Sequence, residues 1–81
     1  MNTPELEATV MQCLGDVAPE LEPQGFDKTK PFRDQLDLDS IDFLRFVQAL
    51  AKKTGVEIAE RDYSKLLTVD ACARFLAAQV H

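Results

Sequence analysis

The chain has 81 residues, 46% of them hydrophobic and 28% charged, which allows one compact core in a single small domain over residues 1–81. Its 14 acidic residues against 9 basic ones leave a formal charge of -5, which repels phosphate backbones. That balance argues against nucleic acid as a partner and favours a protein with a basic docking surface. No apolar run approaches the about 20 residues of a bilayer span, and MNTPELEATV lacks the basic and apolar regions of a signal peptide. Cys13 and Cys72 fall in apolar helical registers, which predicts buried thiols in a reducing, cytoplasmic setting. The one histidine, His81, leaves a zinc site short of ligands, so no metal is expected.

In chain order, Thr3-Pro4-Glu5 reads as a helix start, with a cap candidate, a proline and an acidic first turn. Leu6, Val10, Cys13, Leu14 and Val17 then recur at helical spacing, and Gly15 is expected to loosen the last turn. Pro19, Pro23, Gly25 and Pro31 predict a long loop from about Ala18 to Asp39, anchored by Phe26, Phe32 and Leu36. A second helix is expected from Asp39 or Ser40 to Thr54, closed by Gly55, with Lys52 and Lys53 suiting the dipole. Val56 and Ile58 read as a buried connection. Glu60 to Leu67 predicts a short third helix with Tyr63, Leu66 and Leu67 turned inward. Thr68 is the cap candidate of a last helix striped by Val69, Cys72, Ala73, Leu76 and Val80. The fold class is all-α, a small four-helix bundle of three main helices and one short one, with a long first loop.

The stretch LDLDSIDFL, residues 36–44, carries the chemistry. Ser40 can be a helix cap, but Asp39 caps equally well and has Asp42 three residues on as a weak box partner. If Asp39 caps, Ser40 is the first helical residue and its hydroxyl is left free. An EF-hand loop begun at Asp37 fails, because Ile41, Asp42 and Gln48 stand where an oxygen ligand, glycine and glutamate are needed. Loose cation binding by Asp34, Asp37, Asp39 and Asp42 is weaker than the plain reading of a solvated acidic surface. A catalytic serine needs a base and an oxyanion hole, and no G-x-S-x-G elbow is present. A modification site fits a helix N-terminus, where free N–H groups and the dipole favour a phosphodiester. The acidic flank points to a covalent link made by another enzyme.

The run Phe32-Arg-Asp-Gln-Leu36-Asp-Leu-Asp39-Ser40-Ile41-Asp42 resembles the attachment motif of acyl carrier proteins, in which a phenylalanine and a leucine precede a D-S-L core. The resemblance covers nearly the whole chain, through the Val56-x-Ile58 connection and Thr68-Val69. It implies that Ser40 receives 4′-phosphopantetheine from coenzyme A through a phosphopantetheinyl transferase. It also implies that the arm's thiol carries acyl groups to successive enzymes, with apolar chains sheltering among the helices and no catalysis by the protein itself. Partners would be acyl-transferring, condensing or acyl-activating enzymes, met by a monomer. The chain departs from the family pattern in three ways. Asp37 stands where glycine is common, Ala59 where a proline is common, and Arg45, Lys52 and Lys53 lie on a helix that is usually strongly acidic. The basic residues suggest a dedicated partner set in a specialised pathway.

At about 100° per residue, Phe43, Phe46, Val47, Leu50 and Thr54 share one face of the second helix, read as core. Ile41, Leu44, Arg45, Gln48 and Lys52 share another, near Ser40, and with Asp39 and Asp42 they make a candidate docking surface. The bland alternative packs Ile41 or Leu44 under the long loop. Three other functions compete with the acyl carrier: an aminoacyl or peptidyl carrier such as a D-alanyl carrier, an unmodified helical adaptor, and, more distantly, a DNA-binding helix-turn-helix.

Overall fold

The computed structural model describes residues 3–79. Four α-helices follow in order: α1 over Thr3–Val17, α2 over Phe32–Leu36, α3 over Ser40–Thr54 and α4 over Val69–Gln79. Two 3₁₀ segments, Pro23–Gly25 and Glu60–Lys65, lie in the connections. The architecture is the expected small all-α bundle with one long first connection.

The three long helices form because each carries an apolar stripe at helical spacing. Leu6, Val10, Cys13 and Leu14 of α1 are buried against α3 and α4, both of which α1 packs upon. From α3, Phe43, Phe46, Val47 and Leu50 enter the same core, as their shared face predicts. From α4 come Val69, Cys72, Ala73 and Leu76, with Phe75 beside them. Both thiols are buried and unpaired, as expected. Burial pushes the Cys72 thiol up to about 12 and raises that of Cys13 as well, the latter tempered by the charge of Lys53.

Several expectations need correction. The first helix starts at Thr3, so Thr3 is helical and the position before it lies outside the described residues. The last turn of α1, expected to be loosened by Gly15, runs regularly through Gly15 to Val17 and closes with Ala18 N–H donating to Leu14 O at 2.8 Å. The segment from Ala18 to Asp39 is not uniformly loop, because α2 forms where Phe32 is drawn into the core and is completely buried. The short element after Ala59 is 3₁₀ rather than α, and its end at Lys65 leaves Leu67 47% exposed instead of inward. Val80 and His81 lie outside the described residues.

The long connection is tied down at both ends of its path. Asp27 Oδ1 accepts the Thr29 hydroxyl at 2.5 Å and the Thr29 N–H at 2.8 Å, and these two bonds, backed by Lys30, hold its carboxyl below the ordinary value. The Gln35 side chain bridges Asp27 and Lys30, accepting from Asp27 N–H at 3.0 Å and donating to Asp27 O at 2.8 Å and Lys30 O at 3.1 Å. Further on, Asp70 N–H donates to Lys28 O and Phe32 N–H to Leu67 O, each at 3.1 Å, which fastens the loop and α2 to the start of α4. Phe26 and Leu36, two of the expected anchors, are half-buried against the core.

Candidate functional site

The end of α2 and the start of α3 set the position of Ser40. α2 stops at Asp37, whose φ of 54° and ψ of 44° put it in the left-handed region, with its N–H donating to Arg33 O. An aspartate tolerates this conformation better than most side chains, and glycine better still. The glycine that the resemblance leads one to expect here would take this conformation without a Cβ penalty. Leu38 then turns in, 8% exposed, and its N–H also bonds Arg33 O, at 3.1 Å.

Asp39 is the cap. Its Oδ1 accepts the Asp42 N–H at 2.8 Å, and its own N–H donates to Asp42 Oδ2 at 3.5 Å, a complete capping box built from two aspartates. Asp42, expected as a weak box partner and a solvated acid, is instead half-buried and committed to the box. Ser40 is consequently the first residue of α3, exposed, and its hydroxyl has no hydrogen-bond partner among the described residues. At the far end Gly55, with φ of 71°, closes α3 by donating to Ala51 O, as expected.

The outward face of α3 is as the wheel drew it. Ile41 is 63% exposed and Leu44 43%, so neither packs under the long loop. Arg45, Gln48 and Lys52 are exposed with them, and Arg45 and Lys52 have no ion pair among the described residues. An exposed serine, two large exposed apolar side chains and two unpaired cations thus share one end and one flank of a single helix.

A sequence model described as a phosphopantetheine attachment site matches residues 8–76. The chain belongs to the acyl carrier protein family. It is 25% identical over 75 residues to a mitochondrial acyl carrier protein of Neurospora crassa, a match that covers 93% of this chain and 56% of that relative. The chain therefore spans little more than half the length of the curated relative it matches. The prosthetic group of this carrier family is 4′-phosphopantetheine, held covalently. An exposed hydroxyl released from capping, at the helix start, fits that group. No described helix of the carrier is long and apolar enough to cross a membrane.

Two features of the site were missed in the sequence. One is the cation over the ring of Phe43, where the Arg33 guanidinium sits 5.1 Å from the centroid. The other is the edge contact of Phe43 with Tyr63, at 5.6 Å and 84°. Both depend on α2 and on the 3₁₀ course of Glu60–Lys65, which local patterning did not reveal.

Proposed function

We propose that Ser40 is the attachment residue and that the protein holds acyl intermediates as thioesters and delivers them to enzymes of a fatty-acid, polyketide or other specialised pathway. One observation carries the assignment: Asp39 and Asp42 form the capping box between them, so the Ser40 hydroxyl is not used as the cap and is exposed and unengaged. In the attachment step Ser40 Oγ bonds to the pantetheine-bearing phosphorus of coenzyme A, the pyrophosphate linkage breaks and adenosine 3′,5′-bisphosphate leaves. The serine proton passes to a base of the phosphopantetheinyl transferase, and Asp39 keeps its Oδ1 on the Asp42 N–H as the helix cap. Once attached, the arm supplies a terminal thiol that carries the acyl group; the chain itself is a substrate of its partners and catalyses nothing.

Asp39, Ile41, Asp42, Leu44, Arg45, Gln48 and Lys52 form the proposed docking face. The acids lie beside the serine, the apolar pair follows, and the cations come last, with Lys52 about 18 Å along α3 from Ser40 at a rise of about 1.5 Å per residue. A complementary partner is basic around its entrance and acidic further along. Acyl-transferring, condensing or acyl-activating enzymes of that surface chemistry are the expected partners, met by a monomeric carrier. The buried, unpaired Cys13 and Cys72 suit a reducing compartment such as the cytoplasm.

The test is intact-mass measurement after incubation with coenzyme A and a broad-specificity transferase. One phosphopantetheine should be gained by the wild-type chain and none by Ser40→Ala. No gain with any of several transferases would leave an unmodified adaptor as the better reading.

A further inference from the structure

We propose that the cargo of this carrier stays outside the helical bundle, because an aromatic cluster beneath Ser40 closes the way into the core, and that the cargo is accordingly short or polar. The inference rests on Ser40 as the attachment residue and adds the class of acyl group.

A chain tethered at Ser40 reaches the interior by passing the inward side of the first turn of α3. Phe43 stands there, one turn on from the serine and only 6% exposed. Its ring lies 5.6 Å from that of Tyr63, 6.2 Å from Phe32 and 6.3 Å from Phe46, while Phe32 and Phe46 meet at 5.0 Å. Four rings, contributed by α2, α3 and the Glu60–Lys65 segment, thus bridge the elements between which a hydrocarbon would have to enter. The Arg33 guanidinium lies over the Phe43 ring, so displacing that ring also breaks a cation–π contact. Phe32 and Phe46 are fully buried, and Phe32 is pinned through its backbone to Leu67 O. In a close-packed interior these contacts are lost together, because moving one ring unseats its neighbours.

The surface beside the serine offers a different resting place. An open depression lined by Pro31, Arg33, Asp34, Asp37, Leu38 and Leu67 adjoins the turn that leads into Asp39. Three charged side chains beside Pro31 and two leucines make a mixed lining open to solvent, which gives a long alkyl chain no enclosure. The sheltering implied by the family resemblance is therefore not expected in this member.

The experiment loads acetyl, butyryl and octanoyl arms from the corresponding acyl-coenzyme A with a permissive transferase, and intact mass verifies each product. Thioester cleavage by hydroxylamine, the melting temperature and the NMR shifts of Phe43, Phe46 and Leu50 are then compared. Cleavage rates should agree within about twofold across the series, with unmoved core resonances, since the cargo needs no opening of the core to react. Phe43→Ala should slow octanoyl cleavage by about fivefold or more by creating a cavity that the chain can fill. Tyr63→Ala, at a half-buried position, serves the same purpose if Phe43→Ala does not fold. A wild-type octanoyl form cleaved several-fold more slowly than the acetyl form, with shifts at Phe43 and Phe46, overturns the inference and leaves the attachment reading intact. A chain that accepts no arm overturns both.

Discussion

Two helix starts in this molecule use the same local chemistry for different ends. At α4, Thr68 Oγ1 accepts the Ala71 N–H at 2.9 Å, and the first helical residue, Val69, is completely buried. At α3, Asp39 Oδ1 accepts the Asp42 N–H at 2.8 Å, and the first helical residue, Ser40, is exposed. In one case the hydroxyl is the cap and a valine enters the core. In the other a carboxylate caps and the hydroxyl is left to solvent. A serine beside a helix start is therefore not informative by itself; who does the capping decides what the serine is free to do.

The comparison breaks most decisively on modification. Ser40→Ala should abolish arm addition while shifting stability by no more than about 0.5 kcal/mol, as expected for an exposed site. Thr68→Val should accept the arm like wild type, as read by intact mass. Exchanging the two first residues comes next. Val69→Ser buries a hydroxyl among apolar groups and removes volume, and should cost about 1–3 kcal/mol in urea unfolding, whereas Ser40→Val should be nearly neutral. The caps themselves should be comparable: Asp39→Ala and Thr68→Ala should each lose about 0.5–2 kcal/mol, and Asp39→Asn should recover most of that loss.

Two smaller effects sharpen the contrast further. Asp37→Gly relieves a left-handed residue and should raise stability by up to about 1 kcal/mol, which places the strain before α3 and not before α4. The inward side of α4 has its own signature in alkali. Burial raises the Cys72 pKa from 9.0 to about 12, so the folded state holds this proton more tightly than the unfolded chain. The sign follows: the stability linked to Cys72 is complete below pH 9.0 and is lost as pH rises towards about 12. Cys72→Ala should flatten that part of the stability profile, and a thiol reagent at pH 8 should leave native Cys72 unmodified.

Much of this arrangement was legible because it is local. Asp39 as cap, Gly55 as terminator, Thr68 as the second cap and the inward face of α3 follow from side-chain chemistry within a turn or two, and each is found in place. The exposed face of α3 followed from the same periodicity. What local pattern could not supply was α2, which is five residues long and depends on Phe32 being buried and on a backbone bond to Leu67. Isolated helices of that length do not persist in water. The exposure of Leu67 was hidden for the same reason, since it follows from where the 3₁₀ segment ends. Phe75 was also missed; it is 9% exposed, beneath the Lys65 ammonium 6.0 Å from its ring, a contact made across elements.

The most direct test uses a control the sequence already contains. Ser40 and Ser64 are the only serines, and both are exposed. After transfer from coenzyme A, proteolysis and tandem mass spectrometry should locate one phosphopantetheine on Ser40 and leave Ser64 unmodified. An arm found on Ser64, or one that survives in Ser40→Ala, would contradict the assignment of the free hydroxyl at the start of α3 as the carrier site.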